Sequence, residues 1–590
     1  MLRKPHKLRV VLLSAGFCAL TGMVLGRLYY LQVANHESYE SRARDQHRER
    51  VVVMAERGEI QDRKGRPLAA SKGTLTVSIR PAYFHPPHAD VDLRQLAQKV
   101  AHYSPLSANA LYDRMTGKPD VTTNIGRQME PENANKIMSI LSEAGIAGEG
   151  RWFDRESKRL YPRRLAPQVI GYCTRDAQGD NIGLSGLEYE FNSTLQGEQT
   201  IGWTNRTARR QLMEPVRHED LVNARGDTLV LTIDSAIQEA AEESLAWAAE
   251  EFNPDAAGAI VQDAETGAIL AMASWPTFDN AEFHEYPQET HRNRILTDPL
   301  ETGSVVKLFT AGMLLDSGKV AIDTLVDCEM GRARIGPRNV RDTAGHEMGV
   351  VPFYEVIRHS SNVGTVKAAQ LMENDEWYDY LRAFGLGERT GIDLPGEGAG
   401  ILRPPHRWDD YSRVSLAMGY EMALTPLQIA NGITALVNGG ELLRPYIVKE
   451  VRDARGNVVE RNGRTVMGRA IRPSTSMLMR QIMEDVVVNG TGEKARVPGF
   501  RVGGKTGTTR KSDVFTHREY IASFAGVLPI DSPKVTIYCY VDNPKGDHYY
   551  ASKVAAPVFQ QIAQAAVLYL GLVPNVPVAG DEPLIADSVL

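Results

Sequence analysis

The sequence contains little cysteine and no excess of positive charge. Four cysteines in 590 residues are too few for a disulfide scaffold. Reduced, buried thiols and a Cys328–Cys539 bridge both stay open at this stage. A net charge of −6 gives no sign of the basic patch that nucleic-acid binding needs. No cysteine or histidine cluster has metal-ligand spacing, so we expect no nucleic-acid partner, no metal and no cofactor.

Long apolar runs are also scarce, and residues 10–26 form the one run that is a candidate for a membrane-spanning helix. As a helix it measures about 26 Å at ~1.5 Å per residue, and residues 27–31 extend it toward the ~30 Å of a hydrocarbon core. The basic cluster before it favours a cytoplasmic N-terminus and an extracytoplasmic remainder. A cleaved signal peptide is the alternative, but an Ala-x-Ala-like site is missing. We therefore expect cytoplasmic residues 1–9 and a single-pass transmembrane anchor over residues 10–31.

The rest of the chain predicts more than one domain, because ~590 residues exceed the ~150 typical of a domain. Helical periods without catalytic constellations fill an insert at about 85–150. An apolar strand pair at 258–262 and 268–273 precedes helix signals from 304 to 438. Three β-rich segments and a last helix follow, at 500–508, 520–528, 535–541 and 555–570. This order predicts an α+β domain with one sheet backed by helices.

Within the helical region, Ser304 stands three residues before Lys307, at the start of an apolar segment. Positions i and i+3 share one face of a helix, so the amine can reach the serine hydroxyl. A hydroxyl needs a base to become a nucleophile. A lysine in apolar surroundings has a lowered pKa and can be that base.

Two further motifs follow in order. Ser360-Ser361-Asn362 comes first, and Lys505-Thr506-Gly507-Thr508 lies on the first of the late strands. Each motif alone is weak, but the ordered triple Ser-x-x-Lys, Ser-x-Asn and Lys-Thr-Gly within one α+β domain is specific for acyl transfer. Gly507 suits the oxyanion site, because glycine lets a substrate backbone approach a strand closely.

With these motifs the chain resembles the class B penicillin-binding proteins, the monofunctional D,D-transpeptidases of cell-wall synthesis. Similar stretches outside the triad include Gly186-Leu187-Glu188 and Thr425-Pro426-Leu427-Gln428. The resemblance is greatest to the division-specific FtsI type. It implies an α+β penicillin-binding, serine-transpeptidase fold, in which helices flank an antiparallel sheet. It also implies an elongated N-terminal pedestal over residues 32–230 and a transpeptidase domain over 231–572. The prolines after Gly571 predict a disordered tail over residues 573–590.

The resemblance also assigns roles. Ser304 forms the acyl-enzyme with the penultimate D-alanine of a stem peptide, Lys307 is the base, and Ser360 relays a proton to the leaving D-alanine. Asn362 holds the substrate amide, while Lys505, Thr506 and Thr508 receive the terminal carboxylate. The backbone N–H groups of Ser304 and Thr508 form the oxyanion hole. β-Lactams mimic D-alanyl-D-alanine and are expected to acylate Ser304.

Two departures from the family pattern lie beside this site. Thr302 stands where a proline usually precedes the nucleophile's glycine, and Thr509 stands where alanine is common. Neither replaces a catalytic side chain, so the expected reaction is unchanged.

We expect crosslinking of stem peptides during septal wall synthesis. The expected partners are an FtsW-type glycosyltransferase, other divisome proteins and the lipid bilayer of the bacterial inner membrane. The alternatives are an elongation-specific transpeptidase, a D,D-carboxypeptidase or β-lactamase, and a non-catalytic β-lactam-binding scaffold. A hydrolase needs a route for water to deacylate Ser304, and we find no glutamate in the setting that a class A β-lactamase requires.

Overall fold

The computed structural model describes residues 4–40, 48–53, 56–175, 181–198, 200–205, 222, 224–343, 345–511 and 519–577. The chain divides into two compact units, residues 1–56 with 197–225, and residues 57–196 with 226–590. Residues 578–590, most of the tail expected to be disordered, lie outside the described residues, as do residues 1–3.

The first unit contains the apolar helix α1 (Lys4–Tyr29). A single π-helical turn, Tyr30–Ala34, continues it. Among the described residues one helix, Leu8–Ala34, is long and apolar enough to cross a membrane, with a mean hydropathy of 2.0. The predicted anchor lies within it. The strands β1 (Arg48–Val53) and β8 (Thr200–Asn205) pair antiparallel in the same unit.

The second unit holds the remaining elements. Its strands are β2 (Ile60–Gln61), β3 (Pro67–Ile79), β4 (Thr123–Met129), β5 (Arg151–Leu160), β6 (Cys173–Arg175), β7 (Asn181–Gly183), β9 (Thr228–Leu231), β10 (Ala256–Asp263), β11 (Ile269–Trp275), β12 (Leu325–Asp327), β13 (Arg332–Ile335), β14 (Arg338–Arg341), β15 (Val350–Pro352), β16 (Ile401–Leu402), β17 (Met422–Ala423), β18 (Glu441–Leu443), β19 (Val448–Arg452), β20 (Val458–Arg461), β21 (Val466–Arg469), β22 (Gly503–Arg510), β23 (Tyr520–Leu528) and β24 (Val535–Asp542). Its helices are α2 (Leu93–Ala101), α3 (Ala108–Met115), α4 (Pro131–Glu143), α5 (Pro167–Ile170), α6 (Gly186–Glu190), α7 (Asn192–Leu195), α8 (Ser235–Phe252), α9 (Arg294–Thr297), α10 (Val306–Asp316), α11 (Phe353–Arg358), α12 (Asn362–Ala369), α13 (Asn374–Ala383), α14 (Ser412–Ala417), α15 (Pro426–Val437), α16 (Pro473–Asn489) and α17 (Ala551–Tyr569).

The five-stranded sheet β11-β10-β24-β23-β22 carries the Lys-Thr-Gly motif on its edge strand β22. All four strand pairs are antiparallel. Helices α8 and α17 form an apolar core against one face, with Phe524 and Phe559 in it. Helices α10 and α15 pack on the other face, with Phe309 and Tyr538 in that core. The prediction of one antiparallel sheet flanked by helices is therefore confirmed.

Local signals account for several helix starts. Thr425 caps α15 with a capping box, in which Gln428 N bonds to its hydroxyl and the Gln428 side chain bonds back to Thr425 N. Asp234 caps α8 by accepting a hydrogen bond from Ala236 N at 3.1 Å. The insert expected at about 85–150 contains α2, α3 and α4 together with the strand β4. These elements pack around an apolar core that also includes Val77 and Ile79 of β3.

A second sheet joins strands that lie far apart in the sequence. Its order is β20-β19-β9-β2-β3-β4, and β5 pairs with β3. Strand β9 pairs antiparallel with β19 on one side and parallel with β2 on the other. The expected boundary at residues 230/231 falls at the end of β9, inside this shared sheet.

The cysteines are reduced. Cys328 and Cys539 are free and buried, so the alternative of a bridge between them is wrong. Burial raises the pKa of the Cys539 thiol to about 12, which keeps it protonated and unreactive.

Candidate active site

Ser304 lies in a tight turn, Gly303–Val305, that leads directly into α10. Gly303 has a φ of +51°, and a Cβ there would lie 2.0 Å from Thr509 Oγ1 on β22. Gly303 N also donates to Gly419 O at 3.2 Å. The turn is thus held between β22 and the loop of Gly419. Ser304 stands at the N-terminal end of α10, where the helix dipole favours negative charge.

Lys307 is fully buried in the first turn of α10. Its Nζ donates to Ser360 O at 2.7 Å, to Ser360 Oγ at 3.3 Å and to Asn362 Oδ1 at 2.7 Å. Burial lowers the pKa of Lys307 to about 7, against the opposing charge of Asp342. A large share of this amine is therefore neutral near neutral pH and able to accept a proton.

Ser360 and Asn362 are positioned by an unusual backbone and by one carboxylate. Ser360 has a φ of +60°, a conformation that non-glycine residues adopt rarely. Asp342 accepts hydrogen bonds from Ser361 Oγ at 2.8 Å, from Asn362 N at 2.6 Å and from Val363 N at 2.9 Å. Its charge also suits the N-terminus of α12. Asn362 Nδ2 donates to Arg341 O at 2.7 Å, so both ends of this amide are bonded.

Strand β22 carries the third motif at the edge of the five-stranded sheet. An edge strand keeps backbone groups without ladder partners, which an extended peptide can use. A Cβ at Gly507 would lie 2.9 Å from Val305 Cγ2 and 3.2 Å from Thr302 O. The glycine therefore lets β22 approach the turn of Ser304, whereas the sequence predicted space for the substrate backbone.

The side chains of the third motif have defined partners. Lys505 is fully buried and donates to Thr506 O at 3.2 Å. Burial and the nearby charge of Lys307 hold the pKa of Lys505 well below its usual value. Thr506 Oγ1 pairs with Thr491 Oγ1 at 2.8 Å. Thr508 Oγ1 accepts from Ala551 N at 3.0 Å, which leaves its hydroxyl hydrogen for another acceptor.

Sequence reasoning missed two residues of this site. It gave no role to Asp342, which follows a short strand without any recognisable pattern, and none to Thr491. The glycines on either side of Thr491 are the only local signal for its position.

The two departures from the family pattern share a feature. Thr302 Oγ1 and Thr509 Oγ1 are buried and have no hydrogen-bond partner among the described residues. Thr302 has a φ of −74°, which lies within the range of a proline. The backbone before Ser304 thus keeps the conformation that proline would impose.

A serine at the start of a buried helix, a lysine of lowered pKa and a Lys-Thr-Gly edge strand define a serine acyltransferase site. Two family models match the chain. The penicillin-binding protein transpeptidase domain matches residues 257–564, and the penicillin-binding protein dimerisation domain matches residues 52–231.

Similar proteins span nearly the whole chain. Stage V sporulation protein D of Bacillus subtilis is 32% identical over 558 residues, covering 93% of this chain and 84% of the relative. The peptidoglycan D,D-transpeptidase FtsI of Escherichia coli is 28% identical over 581 residues, covering 97% and 94%. The crystal structure of penicillin-binding protein 3 from Mycobacterium tuberculosis with aztreonam is 26% identical and has a TM-score of 0.65, covering 90% of this chain and 99% of that chain.

The chain belongs to the penicillin-binding protein family. A dimerisation domain followed by a transpeptidase domain makes it a class B member.

Proposed function

We propose that this class B transpeptidase crosslinks the stem peptides of septal peptidoglycan through an acyl-enzyme on Ser304. The observation that carries the proposal is Lys307. Its fully buried amine, with a pKa of about 7, contacts the Ser-x-Asn segment and stands one helical turn from Ser304. A lysine can take the proton of a serine hydroxyl at neutral pH only when its pKa is lowered, because an ordinary lysine is already protonated.

In the proposed acylation, Ser304 Oγ attacks the carbonyl carbon of the penultimate D-alanine and its proton passes to Lys307. The oxyanion is stabilised by the backbone N–H groups of Ser304 and Thr508, and each such donor contributes about 2.7–4 kcal/mol. When the peptide bond breaks, the terminal D-alanine nitrogen receives a proton through Ser360. An amine of a second stem peptide then attacks the ester, forms the crosslink and releases Ser304.

We assign the terminal carboxylate of the donor peptide to Lys505, Thr506 and Thr508, and the peptide amide to Asn362. Because the pKa of Lys505 is lowered, binding of the carboxylate is coupled to protonation of the Lys505 amine. A bound carboxylate favours the charged amine, so substrate binding raises the pKa of Lys505. Because Asn362 Oδ1 already accepts from Lys307, substrate competes with that contact.

Labelled penicillin tests the nucleophile. We expect the wild type to become covalently labelled and Ser304→Ala to remain unlabelled. Labelling of Ser304→Ala would show that Ser304 is not the nucleophile. Incubation with a D-alanyl-D-alanine stem peptide and an acceptor amine separates the enzyme classes. Crosslinked dimer supports a transpeptidase, whereas D-alanine release without dimer supports a carboxypeptidase.

We propose that the protein acts in division, with residues 1–9 in the cytoplasm, residues 10–31 in the bilayer and the catalytic domain outside. The expected partner is an FtsW-type glycosyltransferase, together with other divisome proteins. The similarity to FtsI supports this assignment. Depletion of the protein is expected to give filaments, while round cells would support a role in elongation.

We also propose the division of the chain into a pedestal over residues 32–230 and a transpeptidase domain over residues 231–572. Limited proteolysis of the intact protein checks this division, because a cut near the boundary requires the shared sheet to open there. Two stable fragments that meet near residue 230 would support it. Resistance at that point would mean that the two parts unfold together.

A further inference from the structure

A hairpin beside the active site presents several arginines to solvent. Strands β13 and β14 form it, and its residues 332–341 contain four arginines and no acidic residue. The side chains of Ala333 and Val340 are buried in the apolar core. Arg332, Arg334 and Arg341 occupy the exposed positions that alternate with those two, so they share one face of the hairpin. We call this face the arginine face.

The positive charges of the arginine face are not compensated. Arg332 and Arg341 stand directly opposite each other in the antiparallel register, and like charges in such positions destabilise a strand pair. None of the three side chains, that of Arg334 included, forms a hydrogen bond or an ion pair with another described residue. Between residues 325 and 360 only Ala344 lies outside the described chain, and alanine carries no charge. An anion bound between the strands would therefore relieve a repulsion.

The carboxylates near the hairpin have other partners. Asp342 accepts three hydrogen bonds from residues 361–363. Glu347 Oε2 accepts from a backbone N–H at 3.0 Å. The fourth arginine, Arg338, lies on the opposite face of the hairpin, where its Nη2 is 3.9 Å from Glu421 Oε1. The arginine face is thus available to an anion from outside the chain.

The arginine face adjoins the reacting groups. Arg341 O accepts from Asn362 Nδ2 at 2.7 Å, and Asn362 Oδ1 accepts from Lys307 Nζ at 2.7 Å. Two hydrogen bonds therefore connect the hairpin with the base that stands one helical turn from Ser304. The terminal carboxylate of the donor peptide is assigned to Lys505 and its neighbours on β22. The arginine face is left for a second anion beside the acyl-enzyme.

We propose that the arginine face binds the carboxylates of the acceptor stem peptide and brings its amine to the ester on Ser304. The inference rests on the proposed transpeptidase function and adds the site of its second substrate. Arginine suits this ligand because its guanidinium binds a carboxylate through paired N–H donors. Nearby cations also lower the pKa of the peptide's amine, which favours the neutral form that attacks.

In the attack, the amine nitrogen bonds to the carbonyl carbon of the ester. The bond from that carbon to Ser304 Oγ breaks, and the proton lost by the amine returns to Oγ. The arginine face takes no part in these bond changes, since its role is to hold the peptide close to the ester.

Binding to the penicillin-acylated protein tests the proposal, because penicillin then occupies Ser304 and the donor position. The probe is the pentapeptide L-Ala-γ-D-Glu-L-Lys-D-Ala-D-Ala with a neutral fluorophore on its N-terminus. Fluorescence anisotropy with the full chain in detergent measures its affinity. We expect Arg334→Glu to weaken binding by about tenfold or more. The matched control is Arg155→Glu, on an exposed strand arginine of the pedestal, which should bind the probe as the wild type does.

The same pentapeptide with every carboxylate amidated tests what is recognised. The wild type should bind it more weakly than the parent probe, and Arg334→Glu should lose no further affinity for it. Equal affinity of the wild type for both peptides would overturn the proposal. So would equal losses in Arg334→Glu and Arg155→Glu, or no binding of the parent probe by the wild type.

Penicillin labelling separates this inference from the proposed function. Acylation needs no acceptor, so Arg334→Glu should be labelled on Ser304 as the wild type is, yet form less crosslinked dimer from donor and acceptor peptides. A wild type that is not labelled would overturn the proposed function and the acceptor site with it. Normal labelling together with undiminished dimer formation in Arg334→Glu would overturn the acceptor site alone.

Discussion

The protonation state of Lys307 determines whether its amine can act as the base of this site. A charged amine donates three hydrogen bonds, and three acceptors surround Nζ, all of them on Ser360 and Asn362. A neutral amine donates only two and offers a lone pair instead. Loss of one proton therefore frees one contact, and the freed lone pair can turn to Ser304 or Ser360. The two contacts at 2.7 Å keep the amine in place meanwhile.

The pH dependence of acylation follows from the protonation state of Lys307. Lys307 is neutral above its pKa of about 7, so the rate constant for penicillin acylation should rise as the pH is raised through about 7 and level off above it. Stopped-flow labelling between about pH 5.5 and 8.5 measures this profile. An acylation rate constant that does not change across this pH range would show that Lys307 is not the titrating base.

Asp342 offers a second prediction, because it both positions the Ser-x-Asn segment and raises the pKa of Lys307 by its charge. In Asp342→Asn we expect acylation to slow by as much as about 100-fold, since small displacements of catalytic groups are costly. The midpoint of the pH profile should also move below that of the wild type.

The matched control for Asp342 is Asp323→Asn, on an exposed residue, which should leave rate and midpoint unchanged. A slower Asp342→Asn enzyme with an unshifted midpoint would indicate a structural role alone.

At the scale of elements, sequence patterns predict the helices and strands whose formation depends on residues close together in the chain. The capping box of α15 and the apolar strands around the five-stranded sheet are examples. The sequence did not reveal why Gly507 is a glycine, because its neighbours Val305 and Thr302 lie about 200 residues away along the chain. Asp342 was missed for the same reason: its hydrogen-bond partners become neighbours only after β14 and α12 pack together.

The packing of β22 on the nucleophile's turn is testable with Gly507→Ala. The added Cβ would lie 2.5 Å from Ser523 Oγ and 2.9 Å from Val305 Cγ2. Overpacking of this kind costs about 1–3 kcal/mol, and we also expect slower acylation, because the strand moves away from Ser304. Thermal unfolding and penicillin labelling measure the two effects.

Gly463→Ala is the control for Gly507→Ala, since no atom lies within 4 Å of the added Cβ. This variant should unfold and acylate as the wild type does. A Gly507→Ala protein with wild-type stability and acylation would contradict the close packing of β22 on the turn.

At the scale of the whole molecule, the second unit is held together across the expected domain boundary. The shared sheet is one connection, and Asp62 Oδ2 accepting from Ser235 Oγ at 2.6 Å is another. Glu242 on α8 accepts from Ala166 N at 2.7 Å. The sequence could not predict these links, because parallel pairing of β2 with β9 leaves no local signal. Strand pairing and hydrogen bonds therefore connect the two sides of the expected boundary directly.

Glu188 is the centre of the pedestal's charge network and provides a test of that cohesion. It is fully buried and bonds Arg57 Nε at 2.6 Å and Arg159 Nε at 2.7 Å. Despite the opposing effect of burial, these two arginines lower the pKa of Glu188 below its usual value. Removing one partner of a buried ion pair costs about 3–5 kcal/mol, so Glu188→Gln should lower the free energy of unfolding by that amount at neutral pH.

The lowered pKa of Glu188 also predicts how the stability difference between wild type and Glu188→Gln changes with pH. A carboxyl group with a lowered pKa in the folded state stabilises the protein above its unfolded pKa, and the effect is lost as the pH falls through the folded value. The difference between wild type and Glu188→Gln in urea unfolding should therefore be largest near neutral pH and shrink in acid. Glu132→Gln, which removes an exposed pair with Lys136, should change nothing measurable. A pH-independent difference for Glu188→Gln would mean that packing around residue 188, rather than its charge, holds the pedestal together.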